Sequence, residues 1–174
     1  MNLMGTIQEP LPVKYFAGIT FANSDILKNV FEELENLFSP IEIKSHIYNF
    51  SKFTRYYQKE MGDSLEKLFI IFSKLELPDK LAEKKISSNI IEERYIVHNK
   101  RTLNIDPGYI SEAKVVLATT KNYVHRIYLK SGIYGDVHLQ YIDKSYRKQP
   151  WTYPDYQQDK IIKFFNEVRK KYIN

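Results

Sequence analysis

The stretch VKYFAGITF, residues 13–21, is rich in β-branched and aromatic residues and predicts a buried β-strand. The next stretch, NSDILKNVFEELENLF (residues 23–38), spaces its apolar residues as a helix does, with Asn23 or Ser24 as the N-cap and Pro40 as the stop. IEIKSHIYNF, residues 41–50, alternates as a second strand. The chain is therefore predicted to open with a β-α-β unit.

Two helical regions are predicted to follow. DSLEKLFIIFSKL (residues 63–75) is interpreted as a second amphipathic helix. DKLAEKKISSNIIEERYIVHN (residues 79–99) is interpreted as one or two short helices, the later one capped by Ser88 or Asn89 with Glu92 in a capping box. Both regions would pack on a sheet.

From Arg101 onward the hydrophobic period changes to two, which indicates strands. RTLNI is followed by Asp106-Pro107-Gly108-Tyr109, the sequence of a type II turn, and KVVLAT (residues 114–119) predicts a further strand. The chain closes with a helix within residues 153–172, whose start Thr152 and Asp155, or Asp155 and Gln158, would cap. The predicted fold is α+β: a mainly antiparallel sheet with an N-terminal β-α-β unit, helices packed on it and a C-terminal helix.

Length and composition indicate one globular domain over residues 1–174, with residues 1–11 expected to be flexible. We expect a cytoplasmic protein with no membrane partner, because the start has no signal-peptide pattern and no apolar run approaches a membrane span. The chain has no cysteine, which excludes disulfides, zinc-thiolate sites and cysteine nucleophiles. No metal site is predicted, and the oligomeric state and any cofactor stay open.

The basic excess lies in the C-terminal part of the chain. The net charge is +5, and residues 107–174 hold 12 Lys and Arg against 6 Asp and Glu. Some of these cations fall in the last turn of the C-terminal helix, where they complement the helix dipole. The others could attract phosphate or nucleic acid, or could form an ordinary solvated face.

The stretch KNYVHRIYLKSGIYGDVHLQY, residues 121–141, predicts a hairpin with two alternative registers. A two-residue loop, Ser131-Gly132, would place His125 opposite His138 with Asp136 beside them, a candidate metal site. A three-residue loop, residues 130–132, would instead place Arg126 opposite Asp136 and Tyr128 opposite Tyr134.

Segregation of apolar from polar side chains favours the three-residue loop. In that register His125 lies on the apolar side, as a hydrogen-bonded core histidine or a catalytic base, and His138 lies on the opposite face, so the metal site is lost. The polar face, centred on Arg126, Tyr128, Tyr134 and Asp136, is either a solvated sheet surface or a ligand platform. Lys121 would reach a ligand from the preceding loop.

Four stretches together resemble one family. TRYYQKEMG (54–62), NIDPGYI (104–110), LATTKNYVHRIYLKSGIY (117–134) and WTYPDY (151–156) are similar to the bacterial domain of unknown function 4416, from about Pro12 to the C-terminus. The resemblance implies a single-domain protein and carries no activity, although some members are labelled GTP-binding. It also implies a recurring Glu where this chain has Asp136, and these recurring positions: Thr54, Tyr56, Tyr57, Glu60, Gly62, Asn104, Asp106, Gly108, Lys121, His125, Arg126, Trp151, Tyr153, Pro154 and Asp155.

The sequence contains no P-loop that would support the GTP-binding label. The chain contains no G-x-x-x-x-G-K-[ST] and no G-x-G-x-x-G, the glycine patterns that bring successive backbone N–H groups around a phosphate. Any nucleotide would therefore bind in another way, for example on a sheet face.

We expect a small module that binds a phosphate-bearing ligand, RNA or a nucleotide. The alternatives are an enzyme acting on a phosphorylated substrate, and a protein-interaction module whose aromatic surfaces contact a partner. Whether the protein is an enzyme stays open. The candidate catalytic residues are His125 and Asp106, and the candidate ligand-binding residues are Lys121, Arg126, Tyr128, Asp136, Arg55, Tyr56, Tyr57, Glu60, Asn104, Trp151 and Tyr153.

Overall fold

A computed structural model describes residues 5–173. Its strands are β1 (Val13–Phe21), β2 (Ile41–Lys44), β3 (Tyr48–Asn49), β4 (Glu66–Glu76), β5 (Ile96–Val97), β6 (Lys100–Arg101), β7 (Leu103–Ile110), β8 (Lys114–Thr119), β9 (Arg126–Lys130), β10 (Ile133–Ile142) and β11 (Ser145–Lys148). Its helices are α1 (Leu27–Leu37), α2 (Gln58–Met61), α3 (Leu81–Arg94) and α4 (Asp159–Ile173). Flexibility is predicted for residues 1–11. Residues 1–4 of this segment lie outside the described residues, and residues 5–12 contain no helix or strand.

Nine strands form one antiparallel sheet in the order β11-β10-β8-β7-β1-β4-β2, with β3 on the outer edge of β4 and β9 on the outer edge of β10. β5 and β6 form a separate hairpin. Since β1 and β2 are both antiparallel to β4, they run parallel with β4 between them. The predicted α+β fold, with its opening β-α-β unit and C-terminal helix, is confirmed.

Helices cover the two faces of the sheet unequally. α1 and α3 pack on one face, against a cluster that includes Tyr15, Ile19 and Ile70. α4 packs on the other face, against Phe16 and Phe69 among others. Within the described residues, no helix has both the length and the apolar composition needed to cross a membrane.

The helix predicted over residues 63–75 is wrong, because most of this stretch is the interior strand β4. Its side chains from Lys67 to Phe72 are buried on both faces, since β4 lies between β1 and β2 under two layers of helices. A strand that is buried on both faces has a continuous apolar sequence and lacks the alternation that would distinguish it from a helix.

The cap predicted inside residues 79–99 is also wrong. α3 is one continuous helix, and the Ser88 hydroxyl donates a hydrogen bond to the Lys84 carbonyl within it. Glu92 makes no capping box. Its carboxylate accepts hydrogen bonds from the Ile105 backbone N–H and from Arg101, as described below.

The type II turn predicted at residues 106–109 is wrong as well, because these residues continue β7. Gly108 is required here by close approach: a Cβ atom would lie 2.4 Å from the Val116 carbonyl oxygen of the neighbouring strand. Pro107 is tolerated because its backbone nitrogen points away from β1. The Ala22 N–H donates to the Thr102 carbonyl, which shows that the backbone N–H and C=O groups of even-numbered β7 residues point toward β1. Those of odd-numbered residues, Pro107 included, point toward β8.

β7 and β8 pair only from Gly108–Leu117 to Ile110–Val115. In the alternation of this ladder Pro107 would come opposite Ala118, and it has no N–H to donate. Beyond that point the strands separate, and we call the gap between residues 105–107 of β7 and residues 118–121 the strand split.

Side chains of α3 cap the open edge of β7 in the strand split. The Ile105 N–H donates to Glu92 Oε1 at 2.7 Å, and Lys85 Nζ donates to the Ile105 carbonyl oxygen at 2.7 Å. Both side chains are buried, and their charged groups lie 3.6 Å apart. The backbone groups of the open edge are thereby satisfied without a neighbouring strand.

Replacing Glu92 by Ala should lower the free energy of unfolding by about 3 kcal/mol, because it leaves Lys85, Arg101 and the Ile105 N–H without their partner. Urea denaturation followed by circular dichroism measures this loss. Glu93→Ala, on the exposed side of the same helix, is the matched control and should change stability by less than about 0.5 kcal/mol. Equal losses for both variants would show that Glu92 does not hold the split.

Candidate functional site

A cleft opens on the part of the sheet face that α4 leaves uncovered. β7 and β8 form its floor, the segment of residues 50–61 and the loop of residues 119–126 form its sides, and residues 153–155, just before α4, close one end. The cleft has two connected parts of about 260 Å³ each. Five residues line both parts: Tyr56, Tyr57, Asp106, Lys121 and Tyr153.

The polar part of the cleft lies in the strand split. Asn104 Nδ2 donates to Asp106 Oδ2 at 2.9 Å, and Lys85 Nζ lies 3.5 Å from Asp106 Oδ1. Arg101 donates to Glu92 at 2.6 Å and to Asn104 Oδ1 at 2.8 Å. Besides these residues and the five shared ones, the polar part is lined by Glu60, Asn89, Leu117, Ala118, Thr119, Thr120 and Asp136.

Burial raises the pKa of the Glu92 carboxyl above its ordinary value, even though Lys85 and Arg101 oppose the shift. Glu60 lies farther out, 3.3 Å from Arg101 and half exposed. The cations of the polar part that come from α3 and β6, Lys85 and Arg101, are thus already paired with carboxylates.

The aromatic part of the cleft lies beside Pro154. Burial raises the pKa of the Tyr153 hydroxyl to about 12 and that of the Tyr57 hydroxyl further, so both stay protonated near neutral pH and can donate hydrogen bonds. Apart from the shared residues, this part is lined by Phe50, Thr54, Lys67, Tyr123, Arg126, Pro154 and Asp155.

A buried ion pair supports the aromatic part. Lys67 Nζ lies 2.7 Å from Asp155 Oδ2, and both side chains are almost fully buried. Tyr48 donates a second hydrogen bond to the same carboxylate at 3.0 Å. The capping role predicted for Asp155 is therefore wrong: its carboxylate ties the segment before α4 to β4 and β3.

Asp136 is the centre of a buried cluster behind the cleft. His138 Nε2 accepts a hydrogen bond from the Tyr153 N–H at 2.9 Å, so the proton of the neutral ring is on Nδ1, which donates to Asp136 at 3.3 Å. Arg126 Nε donates to the same carboxylate at 3.2 Å, and His125 Nε2 lies 3.2 Å from it.

Opposing influences set the protonation of this cluster. Burial alone would raise the pKa of Asp136, but the hydrogen bonds and charges of His138 and Arg126 outweigh it and hold the pKa below its ordinary value. Burial lowers the pKa of His138, which Asp136 only partly opposes. An ionised Asp136 beside a neutral His138 agrees with the hydrogen-bonding pattern.

The hairpin register is confirmed, since Arg126 pairs with Asp136 and Tyr128 with Tyr134. The tip is a two-residue turn at Ser131 and Gly132, both at positive φ, and a bulge then restores the favoured register.

The predicted exposure of the hairpin is wrong in part: Arg126 and Asp136, on the polar face, are buried, and Ile127 and Leu129, on the apolar side, are exposed. Tyr128 is exposed and Ile133 is buried, as predicted. The segment of residues 151–153 covers the polar face around Arg126 and Asp136, which explains their burial. The two histidines, predicted to point to opposite faces, both reach Asp136. In residues 5–173, no group of three or more His, Asp or Glu side chains is placed to hold a metal ion.

Arg126 cannot grip a ligand as predicted. Its guanidinium donates to Asp136, to the Lys121 carbonyl at 3.0 Å and to the Tyr153 hydroxyl at 3.0 Å, and its side chain is only 2% exposed. Arg126 instead holds the Lys121 loop and Tyr153 in place, so it positions the wall of the cleft.

Most of the other predicted residues line the cleft, namely Tyr56, Tyr57, Glu60, Asn104, Asp106, Lys121, Asp136 and Tyr153. Four do not: Trp151 and His125 stack on each other behind the cleft, the side chain of Tyr128 is exposed on the hairpin, and Arg55 faces a separate small cavity. Of the four residues of the enzyme hypothesis, Asp106, Lys121 and Arg126 thus line the cleft, and His125 does not.

Sequence reasoning missed the charged residues from α3, β4 and β6. Lys85, Glu92 and Arg101 contribute to the polar part, and Lys67 to the aromatic part. The available signal was weak: Lys67 follows Glu66 at the start of an apolar run, and Glu92 lies in a helix rich in charges.

A family model described as Domain of unknown function (DUF4416) matches residues 11–172. A comparison with curated proteins found no match, and a comparison with solved structures found none either.

Because the pKa of Asp136 is lower in the folded protein than in the unfolded chain, ionisation of this carboxyl stabilises the fold. The stabilisation is complete above the unfolded pKa of about 3.9 and is lost as the pH falls through the pKa of the folded protein. Asp136→Asn should therefore cost about 3 kcal/mol at neutral pH and much less at about pH 2.5. Urea unfolding at both pH values measures the difference. The exposed Asp63→Asn is the control, and a loss for Asp136→Asn that is independent of pH would contradict the assignment.

Proposed function

The chain belongs to the family described as Domain of unknown function (DUF4416), and because that description names no activity, we propose a function from the cleft: it binds a small phosphate-bearing ligand with a planar ring, a nucleotide, without a P-loop. The observation that carries this proposal is the position of Lys121. It lines both parts of the cleft, where the polar and the aromatic surroundings meet.

Lys121 differs from the other cations of the cleft in its partners. Lys67, Lys85, Arg101 and Arg126 each form an ion pair with a carboxylate. Lys121 forms none with any described residue. Its ammonium donates to the Tyr56 hydroxyl and lies 4.1 Å from the centre of the Tyr56 ring. An ammonium without a carboxylate partner can bind an anionic group without first breaking an ion pair, and phosphate is a suitable anionic group.

The aromatic part suits a planar ring. Tyr56, Tyr57, Tyr123 and Tyr153 surround it together with Phe50. Stacking of a base on an aromatic side chain contributes about 1–3 kcal/mol and is tolerant of the identity of the base. The ring would then lie in the aromatic part, and the phosphate would lie at Lys121, where the two parts meet.

The charge balance favours a small nucleotide over RNA. Five cations line the cleft, and five carboxylates line it as well: Glu60, Glu92, Asp106, Asp136 and Asp155. A nucleic-acid groove needs an uncompensated positive track along the backbone, and the basic excess of residues 107–174 does not form one here. A concave cleft of this kind is also more than a protein-interaction module requires. The cytoplasmic location stays a prediction from the sequence.

We expect Lys121→Ala to weaken mononucleotide binding at least about tenfold, because a hydrogen bond between charged groups contributes about 1.5–3 kcal/mol. Isothermal titration calorimetry with AMP, GMP, CMP and UMP measures the affinities. Lys163→Ala, which removes an equal charge from the exposed surface of α4, is the matched control and should leave them unchanged.

Three outcomes would contradict the proposal. They are equal affinities for both lysine variants, no binding of any of the four mononucleotides, and binding restricted to a mixed ten-nucleotide RNA. In the last case the affinity for RNA would fall steeply with salt, and the electrostatic reading of the cleft would be wrong.

A further inference from the structure

The strand split contains a backbone acceptor without a strand partner. At the β7–β8 turn the Ser111 N–H donates to the Lys114 carbonyl. By the alternation of an antiparallel ladder, the backbone N–H and C=O groups of even-numbered β8 residues therefore point toward β7. The Ala118 carbonyl therefore faces the split, where Pro107 would be its partner and has no N–H. Ala118 lines the polar part of the cleft, so this carbonyl is available to a donor on a ligand.

The Asp106 carboxylate is a second acceptor in the split. It receives one hydrogen bond from Asn104, its other oxygen lies 3.5 Å from Lys85 Nζ, and the side chain is 21% exposed. A carboxylate has about four acceptor positions, so most of the capacity of Asp106 is unused.

Two fully buried hydroxyls lie near these acceptors without lining the cleft. Thr20 Oγ1 and Tyr156 Oη have no hydrogen-bond partner among the described residues. Thr20 pairs across the strands with Asn104, and the Tyr156 hydroxyl lies against Gly18, the cross-strand partner of Asp106. Buried polar groups are normally paired, so these hydroxyls mark a place where the fold leaves hydrogen-bonding capacity unused.

The unused groups that line the split are the Ala118 carbonyl and the Asp106 carboxylate, whereas its cations are occupied. Lys85 and Arg101 are paired with carboxylates, as described above. A second phosphate or a carboxylate would meet Asp106 and Glu60 and be repelled. A pair of sugar hydroxyls fits instead, because one can donate to the Ala118 carbonyl and the other to the Asp106 carboxylate.

We propose that the strand split is the subsite for the vicinal hydroxyls of a ribose, which would make the ligand a ribonucleotide; this inference rests on the proposed function. Asp106 and Lys121 both line the junction of the two parts. Sugar hydroxyls at Asp106, phosphate at Lys121 and the base among the tyrosines are neighbours in the protein, as the three groups are in a nucleotide.

The test is a titration of the unaltered protein with AMP, 2′-deoxy-AMP and 2′,3′-dideoxy-AMP. We expect an affinity loss of about tenfold for the first deletion and more for the second, as is usual when a site built to bind a hydroxyl is left unpaired. If another mononucleotide binds best, its own deoxy and dideoxy forms replace the AMP series.

Asp106→Asn should reduce the preference for AMP over 2′,3′-dideoxy-AMP at least about threefold, because the loss of the carboxylate charge weakens only the bonds from the hydroxyls. Asp63→Asn is the control and should keep the preference. If Asp106→Asn does not fold, the ligand series on the unaltered protein decides alone.

Equal affinities for AMP and its dideoxy form would overturn the ribose assignment and leave the proposed function standing. The 5′-monophosphate of purine riboside lacks only the amino group of adenine. If this analogue alone binds more weakly than AMP, the hydrogen-bond donor lies on the base, and the ribose assignment is also overturned. Absence of binding by every mononucleotide would overturn the proposed function, and this inference with it.

Discussion

The missing N–H of Pro107 is the constraint on which the cleft depends. In an antiparallel ladder each strand satisfies the backbone of the next, and Pro107 stands where β7 would have to donate to Ala118 of β8. The ladder ends there, and the strands separate. An open strand edge inside a protein is costly unless something satisfies it. α3 does so, through Glu92 and Lys85 on the backbone of Ile105.

Once β7 and β8 have separated, the rest of the site follows from charge pairing. Glu92 and Asp106 are partly neutralised by Lys85, and Arg101 bridges Glu92 and Asn104. On the other side Asp136 is held ionised by Arg126 and by a neutral His138. The charged groups that a sequence analysis would assign to a ligand are therefore already paired with each other. Lys121 remains, which is why its position carries the functional argument.

The enclosure of Arg126 shows how one buried residue organises a wall without contacting a ligand. Its guanidinium contacts the Asp136 carboxylate, the Lys121 carbonyl and the Tyr153 hydroxyl. The first contact satisfies its charge, and the other two fix the loop at one side of the cleft and Tyr153 at its end. The cleft is therefore pre-formed, and binding need not order these residues.

The sequence by itself determined the α+β class, the β-α-β opening, the C-terminal helix and the hairpin register, because hydrophobic periodicity, the stop at Pro40 and the glycine at the hairpin tip are local signals. It also identified nine of the residues that line the cleft, Arg126 among them. Only the tertiary structure decided that residues 66–76 form an interior strand, that Pro107 lies inside a strand, and which side chains of the hairpin are buried. The physical reason is the same in each case: burial depends on what distant segments place against a residue, and no local pattern encodes the position of Glu92 beside Ile105 or of Tyr153 beside Arg126.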